Sequence, residues 1–341
     1  MRGAALIMGS RVLTWPGVFV ALGALCAMLG CAALYLARDR DARELAGVLP
    51  AAVLFSLVLG RLVHWFCHPL MYTGFAAAMT NYFQGGFSLS GAFAGTLLAV
   101  GFCCAGELVR HPTDLLDAMA PAAALGIGVG RLGSMFDLSD RGRMLVEAPE
   151  RQHLPFAALT EQIPGSGEWR FATFFIQALA AFALAAILCW AFFRFTRRMR
   201  RGEDLGGCVF ALFLALYGAA QVVLDSTRYD ADFFRFNGFV HLTQVLAAAA
   251  VALSAAWLSV RSAKKSGLRP WHWGCWAALA AGMGLAGYME YYVQRRADQV
   301  ALGYGLMSGG MALAGAACVL LCVGRNRAAR KGKRSIGPEE I

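Results

Sequence analysis

The chain has 341 residues, of which 58% are hydrophobic and 15% are charged, and its mean hydropathy is +0.54. Soluble domains carry about 25% charged residues, so this composition excludes an ordinary soluble protein, whose surface could not be covered with polar groups. The formal net charge of +10 falls in short basic runs between apolar stretches, which indicates membrane topology signals and not a nucleic-acid-binding surface.

Nine segments are apolar enough to cross a membrane, because about 20 such residues span the hydrocarbon core. They are predicted at 12–37, 46–66, 86–106, 114–136, 171–193, 206–224, 239–260, 272–293 and 300–323. The first segment is too long for the hydrophobic region of a signal peptide, so we expect a retained helix. The predicted fold class is all-α, a polytopic transmembrane bundle of about nine helices.

Basic residues between the helices predict the orientation of the chain. Lys and Arg cluster at 194–201, at 261–269 and in the tail at 325–334. The predicted helix count places all three clusters on one face, which we assign to the cytoplasm. The N-terminus and the loops 67–85, 137–170 and 225–238 then lie outside, and the C-terminus lies inside. We divide the chain into a seven-helix core, 1–260, and a two-helix extension with a basic cytoplasmic tail, 261–341.

Four arginines stand out because charge inside a bilayer is costly and is usually functional or paired. Arg131 lies in the fourth segment and Arg61 in the second, while Arg143 and Arg228 follow the fourth and sixth segments. A guanidinium group binds phosphate through two parallel hydrogen bonds and remains charged. Arginines that converge near the outer surface would suit an anionic lipid head group. The alternative is that each one snorkels or pairs with a nearby carboxylate.

Metal and disulfide chemistry is not indicated. The ten cysteines fall mostly within apolar stretches and show no C-x-x-C pair, so we expect neither a zinc site nor a disulfide framework. No cofactor is expected.

The sequence around the fourth segment carries a motif. Residues 114–126 read D-L-L-D-A-M-A-P-A-A-A-L-G, followed by G-R-L-G-S at 130–134 and G-R at 142–143. This stretch resembles the signature region of the prolipoprotein diacylglyceryl transferases, which reads approximately L-L-D-x-x-A-P-x-x-x-L-G and then G-R-I-G-N-F-x-N-G-E-x-x-G-R. The spacing from Arg131 to Arg143 agrees without a gap.

Further segments extend the resemblance to about residues 40–260. G-R-L at 60–62 is similar to the family's G-x-R-L segment, and 84–92 is similar to its G-G-x-x-x-H-G-G segment. Tyr217, Asp225 and Arg228 agree in spacing with Y-G-x-x-R-x-x-x-E-x-x-R. The H-L-T-Q segment at 241–244 resembles the M-G-Q opening of the family's last helix.

The resemblance implies a reaction and its partners. A diacylglyceryl group would move from phosphatidylglycerol to the lipobox cysteine thiol of a prolipoprotein signal peptide, in the bacterial inner membrane. The positions that match the family's motifs then have expected roles. The catalytic candidates are Arg131, Arg143, Asp225 and Ser90. The substrate-binding candidates are Arg131, Tyr217, Arg228, Arg61, Gln221, Ser134 and Asp137.

Several of these positions depart from the family's pattern. Ser90 replaces a histidine, Ser134 an asparagine, and Gln221 an arginine. The general base could instead be supplied by another outer-face residue, or arginines alone could activate the thiol. The candidate bases are His64, His68, His153, His241, Asp137 and Asp225. Two other functions stay open: a transferase-fold relative with another acceptor, and a non-catalytic phospholipid-binding accessory protein.

Overall fold

The computed structural model describes residues 4–8, 11–80, 86–137, 140–145, 159–163, 165–229, 240–295 and 300–335. The chain forms two compact units, Met1–Ser139 and Asp140–Ile341, and each is described by itself. The predicted division at residue 260 stays a prediction.

Long helices dominate both units, so the predicted all-α class is confirmed. In chain order the helices are α1 (Trp15–Leu36), α2 (Ala42–Cys67), α3 (Phe75–Thr80), α4 (Leu89–Ala105), α5 (Pro112–Leu132), α6 (Thr173–Met199), α7 (Cys208–Ser226), α8 (Leu242–Ser266), α9 (Pro270–Arg295) and α10 (Val300–Ser335). Apart from the six-residue α3, every described helix coincides with one of the nine predicted segments.

Seven of these helices are long and apolar enough to cross a membrane: α1, α2, α5, α6, α7, α8 and α10. Helix α4 is apolar but has 17 residues. Helix α9 has 26 residues, but its histidine, tryptophan, tyrosine and glutamate side chains lower its hydropathy. The polytopic transmembrane architecture is therefore confirmed by seven candidate spans and by further helices beside them.

The N-terminus begins differently from the prediction. Strands β1 (Ala4–Met8) and β2 (Arg11–Thr14) pair as an antiparallel hairpin, and α1 starts after it, at Trp15 and not at residue 12. Thr14 caps the helix because its side chain accepts a hydrogen bond from the Gly17 amide at 3.4 Å. Hydropathy does not detect this boundary, because Val12 and Leu13 are as apolar as the helix that follows.

Glycines allow close helix packing in the first unit. Helices α1 and α5 cross at Gly23 and Gly126, where a Cβ on Gly23 would lie 2.4 Å from the Gly126 carbonyl oxygen. Helices α2 and α4 meet at Gly91 and Gly95 in the same way. The glycines of the signature region at 126–133 therefore serve helix packing at least in part.

One end of the first unit holds a buried ion cluster. Arg38 donates to Asp114 at 2.8 Å and to Asp117 at 3.1 Å, and Arg40 pairs with Asp114 at 2.5 Å. The side chains of Arg38 and Asp117 are 3% and 0% exposed. Buried charges require such partners, so this cluster joins the segment after α1 to the first turns of α5.

The second unit contains a small sheet and five helices. Strands β3 (Met144–Leu145), β4 (Thr160–Gln162) and β5 (Trp169–Phe171) form an antiparallel sheet in the order β3-β5-β4, within the predicted outer loop 137–170. Helices α9 and α10 pack on each other, with a close approach at Gly282 and Gly310. Helix α10 also packs on α7 and α8, so the extension is part of this unit.

Candidate functional site

The structure divides the ten candidate site residues equally between the two units. The first unit carries Arg61, Ser90, Arg131, Ser134 and Asp137. The second carries Arg143, Tyr217, Gln221, Asp225 and Arg228. Each group can be described from its own contacts.

The motif residues of the first unit lie at the end of α5. Arg131 is half-buried in the last turn of the helix, where a cation interacts favourably with the helix dipole. The chain tightens into a 3₁₀ turn, Gly133–Phe136, in which Ser134 is buried, and Asp137 follows as an exposed residue. Ser139, which stands at the family's glutamate position, lies outside the described residues.

Arg61 and Ser90 occupy a junction between α2 and α4. The fully buried Arg61 side chain donates to the carbonyl oxygens of Ala78 at 2.5 Å and Gly86 at 2.9 Å, and its guanidinium lies 4.8 Å from the centre of the Tyr72 ring. Ser90 shares a 2.8 Å hydrogen bond with the α4 N-cap residue, Ser88. These contacts fix the entry to α4, and the predicted substrate role of Arg61 stays a prediction.

Three candidates of the second unit lie along one face of α7. Tyr217, Gln221 and Asp225 are spaced four residues apart, so their side chains follow each other on the helix. Gln221 is buried and donates to Asp225 at 3.5 Å. The Tyr217 ring stacks on Phe213, with centroids 5.4 Å apart.

Asp225 is the centre of this group. Its carboxylate is fully buried and accepts hydrogen bonds from Gln221, from Thr243 and from Arg228, the last at 3.3 Å. His241 Nδ1 lies 3.3 Å from the carboxylate and 3.0 Å from the Asp225 carbonyl oxygen. Both neighbours of Nδ1 are acceptors, so this nitrogen carries the hydrogen. Donors that converge in this way satisfy a buried ionised carboxylate.

The structure brings Arg143 and Arg228 together, although 85 positions separate them. An isolated antiparallel bridge pairs Gly142 with Arg228, and the Arg143 amide donates to the Thr227 carbonyl oxygen at 3.1 Å. Arg228 pairs with Asp140 at 2.7 Å in addition to Asp225. The backbones that carry these two arginines are thus adjacent at the end of α7, and each guanidinium group has its own set of partners.

Comparison with known proteins agrees with the motif resemblance. The family model described as "LGT: Prolipoprotein diacylglyceryl transferase" matches residues 4–260. The chain belongs to this family.

Curated relatives share the family at low identity, and each carries the name phosphatidylglycerol–prolipoprotein diacylglyceryl transferase. The protein of Parasynechococcus marenigrum (strain WH8102) is 26% identical over 224 residues, which cover 65% of this chain and 78% of the relative. That of Nostoc sp. (strain PCC 7120) is 26% identical over 269 residues, covering 74% and 88%. That of Janthinobacterium sp. (strain Marseille) is 28% identical over 258 residues, covering 73% and 89%.

The candidate bases of this diacylglyceryl transferase family member have different surroundings. His64 bonds with the Tyr72 hydroxyl at 3.0 Å, and its ring stacks on that of His68, which is the C-cap of α2. His241 is the N-cap of α8 and is held by Asp225. His153 lies outside the described residues. Among the described histidines, His241 is the one whose Nδ1 faces a buried carboxylate, which favours it as a base.

Sequence reasoning missed six polar residues of the second unit. They are Asp140, Thr243, Gln244, Glu290, Gln294 and Tyr304. A signal existed for Glu290, because it is a carboxylate inside the predicted spanning segment 272–293, and such a residue is a functional candidate by default. Thr243 and Gln244 lie in the H-L-T-Q segment that resembles a family motif, but they were not chosen as site candidates. For the other three, importance depends on which helix lies beside them, and local sequence carries no such signal.

Proposed function

We propose that this protein transfers a diacylglyceryl group from phosphatidylglycerol to the lipobox cysteine of prolipoproteins. The family assignment supports diacylglyceryl transfer to a prolipoprotein. The observation that supports the donor lipid is the backbone bridge between Gly142 and Arg228, since it brings the chain segments that carry Arg143 and Arg228 next to each other at the end of α7. The basic clusters predict that this end of α7 faces the outer side of the inner membrane, where we place the reaction.

The chemistry requires a nucleophile and a stabilised leaving group. The cysteine sulfur, as a thiolate, attacks the glyceryl carbon that bears the phosphate. A carbon–sulfur bond forms, the carbon–oxygen bond to phosphate breaks, and its electron pair remains on the departing glycerol phosphate. The thiol proton passes to a base. Negative charge thus builds up on phosphate oxygens, where fixed cations lower the barrier most.

Residues of this chain match these requirements. Arg143 and Arg228 bind the phosphate and stabilise its developing charge, and Tyr217 orients the head group. Gln221 donates a hydrogen bond to Asp225, and Asp225 pairs with Arg228, so these two residues hold the Arg228 side chain in place. Arg131 is assigned a charge-stabilising role, with Ser134 and Asp137 as its polar neighbours along the chain, on the strength of the signature motif.

Two routes are proposed for removal of the thiol proton. Either His241 accepts it, or the arginines activate the thiol and no protein base is needed. The Asp225 carboxylate accepts the His241 Nδ1 hydrogen, and such a partner stabilises the imidazolium that forms after proton uptake. Ser90 is assigned a polar contact and not proton transfer, because a serine hydroxyl is a poor base near neutral pH.

Complementation tests the proposed function. The chain would be expressed in a bacterium depleted of its own transferase, and a prolipoprotein would be weighed by mass spectrometry. We expect the mass of a diacylglyceryl group to appear with the wild-type chain and not with Arg131→Ala, at equal membrane levels. A wild-type chain that is present in the membrane but adds no mass would refute the proposal and favour another acceptor or a lipid-binding role.

Replacing Ser90 by the histidine of the family's pattern tests whether this position can hold the general base. Ser90→His should raise the transfer rate if the surroundings of this position still suit a proton acceptor. Ser90→Ala serves as the control and should leave the rate within about twofold of wild type, because serine donates little to proton transfer. A rate that falls with histidine would show that the first turn of α4 has been rebuilt around the smaller residue.

A further inference from the structure

The helical pair that follows the family's matched region reaches the same polar network. The family model ends at residue 260, whereas α9 and α10 begin at Pro270 and Val300. Within α9 lies Glu290, whose side chain is buried with 4% of the residue exposed. An acidic residue buried in a helical bundle of a membrane protein is costly to retain and therefore calls for a reason.

Glu290 accepts hydrogen bonds from two glutamines. Gln244, in the first turn of α8, donates its side-chain nitrogen to Glu290 Oε2 at 3.0 Å. Gln294, one turn further along α9, donates to Glu290 Oε1 at 2.8 Å. Both carboxylate oxygens are thereby satisfied by neutral amides, and the described residues offer Glu290 no ion pair with Lys or Arg.

The carboxylate fixes the orientation of the Gln294 side chain. Because the Gln294 nitrogen faces Glu290, its oxygen Oε1 must face the other way, and there it accepts a hydrogen bond from Arg143 Nη2. Arg143 Nη1 donates in addition to the Val293 carbonyl oxygen at 3.3 Å. Helix α9 therefore holds the Arg143 guanidinium through two adjacent residues, 150 and 151 positions away in sequence.

Both oxygens that hold Arg143 are uncharged. Within the described part of the chain, Arg143 forms no ion pair with a carboxylate, in contrast to Arg228, which pairs with Asp140 and Asp225. Two of the five guanidinium donors are used for anchoring, and the positive charge is not neutralised by direct contact. A cation held in this way is oriented and keeps its attraction for an anion.

We propose that the C-terminal helical pair is a working part of the head-group site, in which Glu290 and Gln294 are positioning residues for Arg143. Glu290 sets the orientation of the Gln294 amide, and Gln294 presents Arg143 to a lipid phosphate. Helix α10 supports the same region, since the Tyr304 hydroxyl donates to the Ser226 carbonyl oxygen at 3.1 Å. This inference rests on the proposed function for the identity of the lipid.

The test is a double-mutant cycle on the full-length protein. Gln294→Met keeps the length of the side chain and removes both of its hydrogen bonds, and Glu290→Gln removes the charge that orients the amide. We expect each single variant to lower kcat/KM for phosphatidylglycerol by about tenfold and to raise KM, because Arg143 is then less well placed for the phosphate. The double variant should resemble Gln294→Met alone, because Glu290 acts through Gln294.

Matched readouts separate this inference from the proposed function. The control Tyr288→Phe changes an exposed residue of the same helix and should leave KM unchanged. Binding of short-chain phosphatidylglycerol, against phosphatidylcholine, would be measured by calorimetry on the same purified variants. If wild type binds phosphatidylglycerol and Gln294→Met weakens that binding, the inference holds even where transfer is absent. If KM and lipid binding of Gln294→Met equal those of wild type, or if the two single effects simply add, the inference is wrong while wild-type transfer still supports the proposed function.

Discussion

Two arginines of this protein are held in opposite ways. Arg38, in the first unit, lies between the carboxylates of Asp114 and Asp117, at 2.8 and 3.1 Å. Arg143, in the second unit, is held by a backbone carbonyl oxygen and by the side-chain oxygen of Gln294. Both side chains are fixed by surrounding helices and loops, but only Arg38 is neutralised by its direct contacts.

The difference indicates different uses of the same residue type. An arginine between two carboxylates has its charge cancelled and can only hold helices together. An arginine on neutral acceptors stays available to a phosphate, as proposed for Arg143. Arg228 is intermediate, since it pairs with Asp140 and Asp225 but keeps a 15% exposed side chain. The way in which each arginine is paired therefore tells more about its use than its burial does.

The largest expected effect falls on Arg38. Arg38→Ala would leave the Asp117 carboxylate buried without its arginine, which should lower the free energy of unfolding by about 3–5 kcal/mol. Thermal unfolding of the purified protein in detergent would measure it. Arg110→Ala, at an exposed position, is the control. A destabilisation of Arg38→Ala no greater than that of Arg110→Ala would break the proposed contrast.

Arg143→Ala should show the opposite profile. We expect the transfer rate to fall by about 10²–10³-fold, because one charge-stabilising donor is lost, with little change in unfolding temperature. Arg143→Lys keeps the charge but loses the planar fork, so it should retain an intermediate rate. A variant that loses activity only in proportion to lost folded protein would place Arg143 in the structural class with Arg38.

Asp225→Asn tests whether the polar group around Asp225 tolerates a missing charge better than the ion cluster around Arg38 does. Arg228 keeps Asp140 as a partner in this variant, so we expect a loss of about 1–3 kcal/mol in unfolding free energy, less than for Arg38→Ala. Denaturant or thermal unfolding of both variants under one condition gives the comparison. Equal losses would show that the two clusters have the same structural role.

The smallest expected effect belongs to the Tyr304 hydroxyl. Tyr304→Phe removes one hydrogen bond to the Ser226 carbonyl oxygen and should cost about 0.5–1.5 kcal/mol of stability. Phosphatidylglycerol KM should rise by less than for Gln294→Met, because Arg143 keeps its own anchors. A larger rise in KM than in the Gln294 variant would mean that α10, and not α9, sets the position of the site.

Hydropathy along the chain predicted the helices well and the segments between them poorly. The nine predicted spans all correspond to described helices, but the hairpin before α1 and the sheet inside the loop 137–170 were not predicted. Transmembrane helices follow from local composition, since every backbone group must be satisfied within the helix. Short strands depend on a partner that lies elsewhere in the chain, and no local signal reveals that partner.

The sequence by itself therefore determined the class and the family and named the candidate site residues, because the signature motif and the apolar segments are local patterns. Tertiary structure decided which of those residues meet. The backbone bridge joins Arg228 to Gly142 across 86 positions, and Glu290 of α9 reaches Gln244 of α8. The physical reason is that a buried charge must find partners in space, and helix packing, not sequence spacing, decides which polar side chains are close enough to serve.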